Sequence, residues 1–154
     1  MKDNDVGFGY VPESMGAANE TGPGRAILVV DDDPDLRGAI ADVLAEEGYL
    51  VHCAGHGGEA LAHLRAPGTP TPALILLDLM MPEVSGWDFL ALQQADVALA
   101  QIPVVLMSAS SKAPVQGDVK GTVDAIKKPF KVEQLLDVVG RHARSRAEKL
   151  RAEE

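Results

Sequence analysis

The sequence predicts an α/β fold built on a parallel sheet, and three observations carry that expectation. From Arg25 onward, apolar β-prone runs alternate with segments of helical period, the pattern of strands separated by crossover helices. Two of these runs, Ala26 to Val30 and Ala73 to Leu77, contain no polar residue, as strands covered on both faces require. The 154 residues suffice for one core of ordinary size and fall short of two comfortable ones, so one domain is expected.

Residues 1 to 24 hold five glycines and two prolines and read as a disordered leader that cannot repay the entropy of ordering. The folded domain of the chain is expected over residues 25 to 142. Ala26 to Val30 is the first strand. Asp33 is a good N-cap and Pro34 suits the first helical position, with Leu36, Ile40, Val43 and Leu44 on one face before Gly48. Tyr49 to Ala54 reads as the second strand. Glu59 to Ala66 reads as the second helix, with Ala60, Leu61 and Leu64 inward. The proline-rich stretch from Pro67 to Pro72 is a surface connection.

Ala73 to Leu77 is the third strand, followed by a loop from Asp78 to Ser85 and a third helix over Gly86 to Ala95. Pro103 to Met107 is the fourth strand. Pro114, Gly117 and Gly121 interrupt the segment from Ser110 to Thr122, which predicts a short or frayed fourth helix. Val123 to Lys127 makes a short fifth strand. A fifth helix begins after Pro129, with Val132, Leu135, Leu136 and Val139 on its buried side. Residues 143 to 154 continue as a charged, solvated helical extension in which Ala143, Ala147 and Leu150 form a thin apolar stripe.

Composition bounds the function. With 46% hydrophobic and 24% charged residues the chain has a globular balance, and no apolar run reaches the roughly 20 residues of a membrane-spanning helix. The N-terminus lacks a secretory signal, so a cytoplasmic location is expected and no membrane partner. Cys53 is the single cysteine and reads as a small core residue. A net charge of −9 and a pI near 4.8 predict no direct contact with nucleic acid, which needs a basic footprint, and point to protein partners. His52, His56, His63 and His142 show no ligand spacing and are expected in surface or packing roles. Gly55-His56-Gly57-Gly58 lacks Walker or dinucleotide spacing and reads as a loop opening the second helix.

The chemistry lies at the strand ends. In an open parallel sheet, ligands bind beyond the carboxyl ends of the strands. Asp31 and Asp32 follow the first strand and Asp78 follows the third, so neighbouring strands would crowd three carboxylates at one edge. Such crowding is costly unless a cation or protons neutralise it. A hard divalent ion such as Mg2+ takes oxygen ligands and keeps open positions for a phosphoryl oxygen. As mere helix caps, Asp31 and Asp32 would have no task, because Asp33 already fills the cap. As a mere turn residue, Asp78 would stand ahead of Met81-Pro82. Ser108 and Lys128 follow the fourth and fifth strands, and would bring a hydroxyl and an ammonium to the same edge, as phosphoryl transfer needs.

These residues, in this order, resemble the receiver domain of bacterial response regulators. The likeness covers about Ala26 to Arg141 and rests on Ile27 to Pro34, Leu76 to Pro82, Gly86, Met107-Ser108-Ala109 and Lys128-Pro129-Phe130. It implies a flavodoxin-like, doubly wound (βα)5 fold with five parallel strands in the order 2-1-3-4-5. It implies Asp78 as phosphoacceptor and Mg2+ as cofactor. Asp31, Asp32, Asp78 and the Met80 carbonyl become the metal ligands, with Asp32 favoured over Asp31 for direct contact. Ser108 becomes the switch hydroxyl, and Lys128 the cation of the site, with a cis bond to Pro129.

The resemblance further implies that a phosphohistidine, on a sensor histidine kinase or a histidine phosphotransfer protein, donates the phosphoryl group. The only catalysis expected is self-phosphorylation and self-dephosphorylation. Met80 and Ser110 hold the positions that modulate attack by water, and neither carries a carboxylate or amide, so slow to moderate hydrolysis is expected. Ala125 stands where the family often has an aromatic residue, so activation is expected to order the Ser110 to Thr122 segment instead of rotating a ring. No second folded domain is expected after the fifth helix, so the chain reads as a single-domain regulator acting on an unknown protein target. The competing reading is a phosphorylation-independent interaction scaffold of the same fold.

Overall fold

In a computed structural model of the chain, residues 9–10, 26–81, 85–109 and 121–143 are described. The elements are β1 (Gly9–Tyr10), β2 (Ala26–Val30), α1 (Pro34–Glu46), β3 (Leu50–Ala54), α2 (Gly57–Arg65), β4 (Leu74–Asp78), α3 (Gly86–Gln94), β5 (Val104–Ser108), β6 (Thr122–Lys127) and α4 (Val132–His142). The sheet runs β1-β3-β2-β4-β5-β6. Setting aside β1, the five long strands are parallel throughout, in the predicted order 2-1-3-4-5.

Alternation along each strand divides the core in two. Ile27, Val29, Leu74, Leu76, Val105 and Met107 pack with Ile40 and Leu44 of α1 and with Leu135 and Val139 of α4. Leu28, Val30, Ile75, Leu77, Val104 and Leu106 pack with Ala60 and Leu61 of α2 and with Phe89 and Leu90 of α3. Two described helices therefore cover each face, which is the doubly wound arrangement and the reason β2, β4 and β5 are buried along their whole length. Burial of each such Leu or Ile removes it from water for roughly 1.5–3 kcal/mol.

Local chemistry sets the helix ends. The Asp33 carboxylate accepts from Asp35 N and Leu36 N at 3.0 and 3.3 Å, with Pro34 at the first helical position. Gly48, at φ 97°, turns the chain from α1 toward β3. Helix α2 starts two residues earlier than periodicity predicts. The cause is His56, whose Nδ1 accepts from Glu59 N at 3.2 Å, while the Glu59 carboxylate accepts from Gly55 N; this closes a reciprocal cap that draws Gly57 and Gly58 into the helix.

Several further expectations meet the structure differently. Gly9–Tyr10, inside the segment read as a disordered leader, pairs antiparallel with Val51 and His52 at the sheet edge; the rest of residues 1–24 lies outside the described residues, as do 110–120 and 144–154. Asp78 and Ser108 are the last residues of their strands, not the first beyond them. Val132 is 50% exposed because it opens the helix before the stripe reaches the sheet, and Val138 takes the buried position. His52 and His63 pair their rings at 4.7 Å, and burial lowers the His63 pKa. Burial likewise raises the half-buried Cys53 thiol. Gln93, fully buried, donates from Nε2 to Leu99 O and Ile102 O at 2.8 and 3.1 Å and so holds the connection into β5. The last turn of α4 is tied to β6 where Asp124 accepts from Arg141 and from His142 at 3.2 and 3.1 Å. No described helix is long and apolar enough to cross a membrane.

Two glycines make opposite predictions. A Cβ on Gly86 would stand 2.6 Å from both Asp78 O and Leu79 Cα, whereas one on Gly38 of α1 would meet nothing within 4 Å. Gly86→Ala is expected to destabilise by roughly 2–3 kcal/mol through overpacking, and Gly38→Ala to stabilise by about 0.5–1 kcal/mol through helix propensity. Urea denaturation of the two variants checks both signs.

Candidate metal centre

The sheet register builds the site. Val30 of β2 lies opposite Leu77 of β4, so the next residues, Asp31 and Asp78, emerge side by side. Asp78 lies opposite Met107 and Ser108 opposite Lys127, which brings Ser108 and Lys128 to the same edge. One carboxylate oxygen from each of Asp31, Asp32 and Asp78 lies within 4.8 Å of the others. Among the described residues no other group of three His, Cys, Asp or Glu side chains is gathered in this way.

Each acidic residue has its own environment. Asp31 is completely buried and all its polar atoms are engaged. Its N–H donates to Ala54 O at 3.1 Å, Oδ1 accepts from Asp33 N at 2.9 Å, and Oδ2 accepts from Lys128 Nζ at 2.6 Å. Its carbonyl accepts from Arg37 Nη1 at 2.7 Å. Asp31 therefore has a structural task in the turn that leads to the helix cap, beyond the one the sequence reading allowed it. Asp32 is exposed. Asp78 is buried; its Oδ1 accepts from Met80 N at 3.1 Å, and its Oδ2 is 3.6 Å from Lys128 Nζ.

Burial pushes the Asp78 carboxyl above its ordinary value; the Met80 N–H pulls it back, Asp31 adds to the rise, Lys128 opposes it and Asp32 adds a little more. A buried carboxylate with two acidic neighbours and one ammonium is short of positive charge. The donor set is all oxygen, with Asp32 open to solvent, and it fits a hard divalent cation better than a soft one.

The remaining sequence-selected residues fall around this cluster. Ser108 is buried at the end of β5 and its carbonyl accepts from Lys128 N at 2.8 Å. The Lys128–Pro129 bond is cis, as the resemblance implied. Met80 turns its side chain outward, 69% exposed, so only its backbone faces the cluster. Gly86 N donates to Leu79 O at 3.1 Å and closes the acidic loop, which Leu79 and Met81 anchor by burial. Trp87 follows, half exposed. Ala125 is packed partly into the core, and Ser110 lies outside the described residues. Beside the cluster is a cavity of about 380 Å3 lined by Asp33, Leu36, Ala109, Lys128, Pro129 and Phe130. Sequence reasoning missed Arg37; a basic residue one turn after the cap that follows an acidic pair is the signal that could have found it.

A parallel sheet with acidic residues, a hydroxyl and a lysine gathered at its carboxyl edge belongs to the doubly wound α/β class, in which ligands bind beyond the carboxyl ends of the strands. The family model for the response regulator receiver domain matches residues 27–140, and the chain belongs to that family. It is 37% identical over 114 residues to the DNA-binding response regulator MtrA of Mycolicibacterium smegmatis, covering 73% of this chain and 47% of that protein. It is 34% identical over 122 residues to the alkaline phosphatase synthesis transcriptional regulatory protein SphR of Synechococcus elongatus, covering 74% and 47%. Among solved structures, the CheY-like receiver domain protein of Methanospirillum hungatei superposes with a TM-score of 0.62 at 29% identity, covering 77% of this chain and 90% of that one. Chemotaxis response regulator CheY4 of Vibrio cholerae gives 0.67 at 26% identity, covering 75% and 96%.

The chain spans about half the length of the curated relatives it matches. The expectation of no nucleic-acid contact is overturned by the curated relatives, of which MtrA and the RpaA protein of Synechocystis are named as DNA-binding regulators. Net charge misled because it is a total over the whole chain, and that total is acidic in part because the site gathers aspartates.

A pH dependence follows from Asp78. Its folded pKa is raised above the ordinary 3.8, so the stability it contributes is fully present below that value and is lost as pH rises through the folded pKa. Without divalent cations, Asp78→Asn is expected to melt at a higher temperature than wild type at pH 7, with the difference shrinking toward pH 3. Thermal melts by circular dichroism at both pH values, in chelator, check this.

Proposed function

We propose that this chain is a phosphoacceptor in which Asp78 takes a phosphoryl group from a phosphohistidine of a sensor histidine kinase or histidine phosphotransfer protein, with Mg2+ as cofactor. The observation that carries the reading is the meeting of Asp31, Asp32 and Asp78 with Lys128 at one sheet edge. Asp32, Asp78 and the Met80 carbonyl would hold the ion directly. Asp31, whose two oxygens already accept hydrogen bonds, would act through water. When bound, Mg2+ supplies the positive charge that the phosphoryl oxygens need.

An Asp78 Oδ attacks phosphorus in line, the phosphorus–nitrogen bond breaks, and its electron pair remains on the imidazole nitrogen. Burial favours this step, because the carboxylate it makes more basic is also the better nucleophile. Lys128 Nζ, 3.6 Å from Asp78 Oδ2, is close enough to meet the charge that spreads over the equatorial oxygens. The Ser108 hydroxyl orients the bound phosphoryl group. The apolar walls of the cavity at Leu36, Pro129 and Phe130 offer the donor a place to rest. Met80 presents no group able to orient water toward the acyl phosphate, so hydrolysis is slow to moderate. By likeness to MtrA and SphR, the signal ends in transcriptional control.

Incubation with acetyl phosphate and Mg2+ followed by intact-mass measurement tests the reading. Wild type is expected to gain the mass of one phosphoryl group and Asp78→Ala none. Lys128→Ala is expected to react roughly 10²–10³-fold more slowly, the usual cost of one transition-state cation or donor. A wild-type protein that stays unmodified, or an Asp78→Ala protein modified as fast as wild type, would leave the scaffold reading in possession.

A further inference from the structure

We infer that Arg37 is a positioning residue for the divalent-cation site, acting through the main chain of Asp31; this rests on the phosphoacceptor reading for its purpose but not for its geometry. The strand ladders of β2 end at Val30, paired with Ala54 on one side and Leu77 on the other. The carbonyl of Asp31 therefore lies beyond the last registered pair, in a residue that is completely buried. A buried carbonyl in that position needs a donor. Arg37 Nη1 supplies it at 2.7 Å, reaching back from the first turn of α1, where Arg37 N is itself bonded to Asp33 O at 2.9 Å.

The remaining bonds of Asp31 come from its neighbours in the strand-end turn and from the site itself: Ala54 O, Asp33 N and Lys128 Nζ. Among the described residues, Arg37 is the brace that ties the Asp31 carbonyl to the body of a helix. Its guanidinium also lies against the β3–α2 turn, since a Cβ on Gly55 would be 3.4 Å from Arg37 Nη1 and 3.4 Å from Glu59 Oε1. The brace thus joins two strand ends, at Asp31 and Gly55, to the start of α1. Arg37 meets Asp31 at its main-chain carbonyl, while the two carboxylate oxygens are taken by Asp33 N and Lys128 Nζ. Arg37 therefore works by holding the main chain of Asp31, and with it the adjoining Asp32, in place.

Removing such an outer partner typically costs about 10–100-fold in metal affinity. Arg37→Met keeps the aliphatic stem and deletes the donor. Titration of Mg2+, followed by Trp87 fluorescence or calorimetry, is expected to give a dissociation constant at least about tenfold weaker than wild type. The rate of modification by acetyl phosphate is expected to fall at low Mg2+ and recover to near the wild-type maximum at saturating Mg2+. A merely structural defect would lower the rate at every Mg2+ concentration. A folded Arg37→Met protein with wild-type Mg2+ affinity, or with a loss that saturating Mg2+ leaves in place, overturns the inference.

If Arg37→Met does not fold, Arg37→Lys decides. Its single short-reaching donor in place of a planar fork is expected to weaken Mg2+ by a factor of about two to three, a fraction of the usual outer-partner cost, and unchanged affinity overturns the inference. Wild type that binds Mg2+ but takes up no phosphoryl group sinks the phosphoacceptor reading while the affinity comparison still tests Arg37. Wild type that binds no Mg2+ sinks both.

Discussion

The ion pair between Asp31 and Lys128 is the contact on which the rest of the site depends. It joins residues 97 positions apart at 2.6 Å, with the aspartate completely buried and the lysine side chain only 19% exposed. Neither charge could remain in that environment alone, because the desolvation of an unpaired ion exceeds what local hydrogen bonds return. The pair also sets the charge of its surroundings. Lys128 reaches Asp78 as a second, longer contact, so one ammonium serves two buried carboxylates while Asp32 looks out to solvent. A site left short of positive charge has room for a divalent cation and then for the oxygens of a phosphoryl group.

That arrangement is held by parts of the fold with no chemistry of their own. Parallel strands all present their carboxyl ends to one edge, and two apolar layers fix the strands against four described helices. Register then decides which side chains meet. A shift of one residue between β2 and β4 would turn Asp78 away from Asp31 and into one of the apolar faces. The acidic loop after β4 is pinned at both ends, by burial of Leu79 and Met81 and by the approach of Gly86 to the Asp78 carbonyl. At the other strand end the Asp31–Asp33 turn feeds directly into the cap of α1, so the acidic strand end and the helix start form one hydrogen-bonded unit. Preorganisation of this kind leaves little reorganisation to be done when charge moves.

Acidity has two meanings in this chain. Part of the excess negative charge is concentrated at the site, in Asp31, Asp32 and Asp78, and part lies on helix surfaces such as Asp42, Glu46 and Glu47 of α1 and its end. A total taken over the whole sequence cannot separate them, which is why charge alone pointed away from nucleic acid while relatives of the same family carry DNA-binding names. The family likeness, by contrast, rests on residues at strand ends, and those are the residues the register brings together.

What the sequence determined by itself is whatever depends on neighbours along the chain. The five long strands are legible to within a residue or two, because apolar runs between turn residues are a local signal. The cap at Asp33, the proline after it and the turn at Gly48 are legible for the same reason. The early start of α2 at His56 was not, since an imidazole acting as cap acceptor is an uncommon use of that side chain, and the exposure of Val132 was not, since periodicity marks a face without saying where the sheet ends. The three aspartates, Ser108 and Lys128 could be nominated from their places after strands. Only the tertiary structure decided that Asp31 is buried and fully bonded while Asp32 is open, that Lys128 favours Asp31 over Asp78, and that Arg37 closes the strand end. The burial and the choice of partner are set by packing and register between segments far apart in the chain, which no local pattern encodes; the Arg37 contact spans six residues, and its geometry depends on how α1 seats against the end of β2.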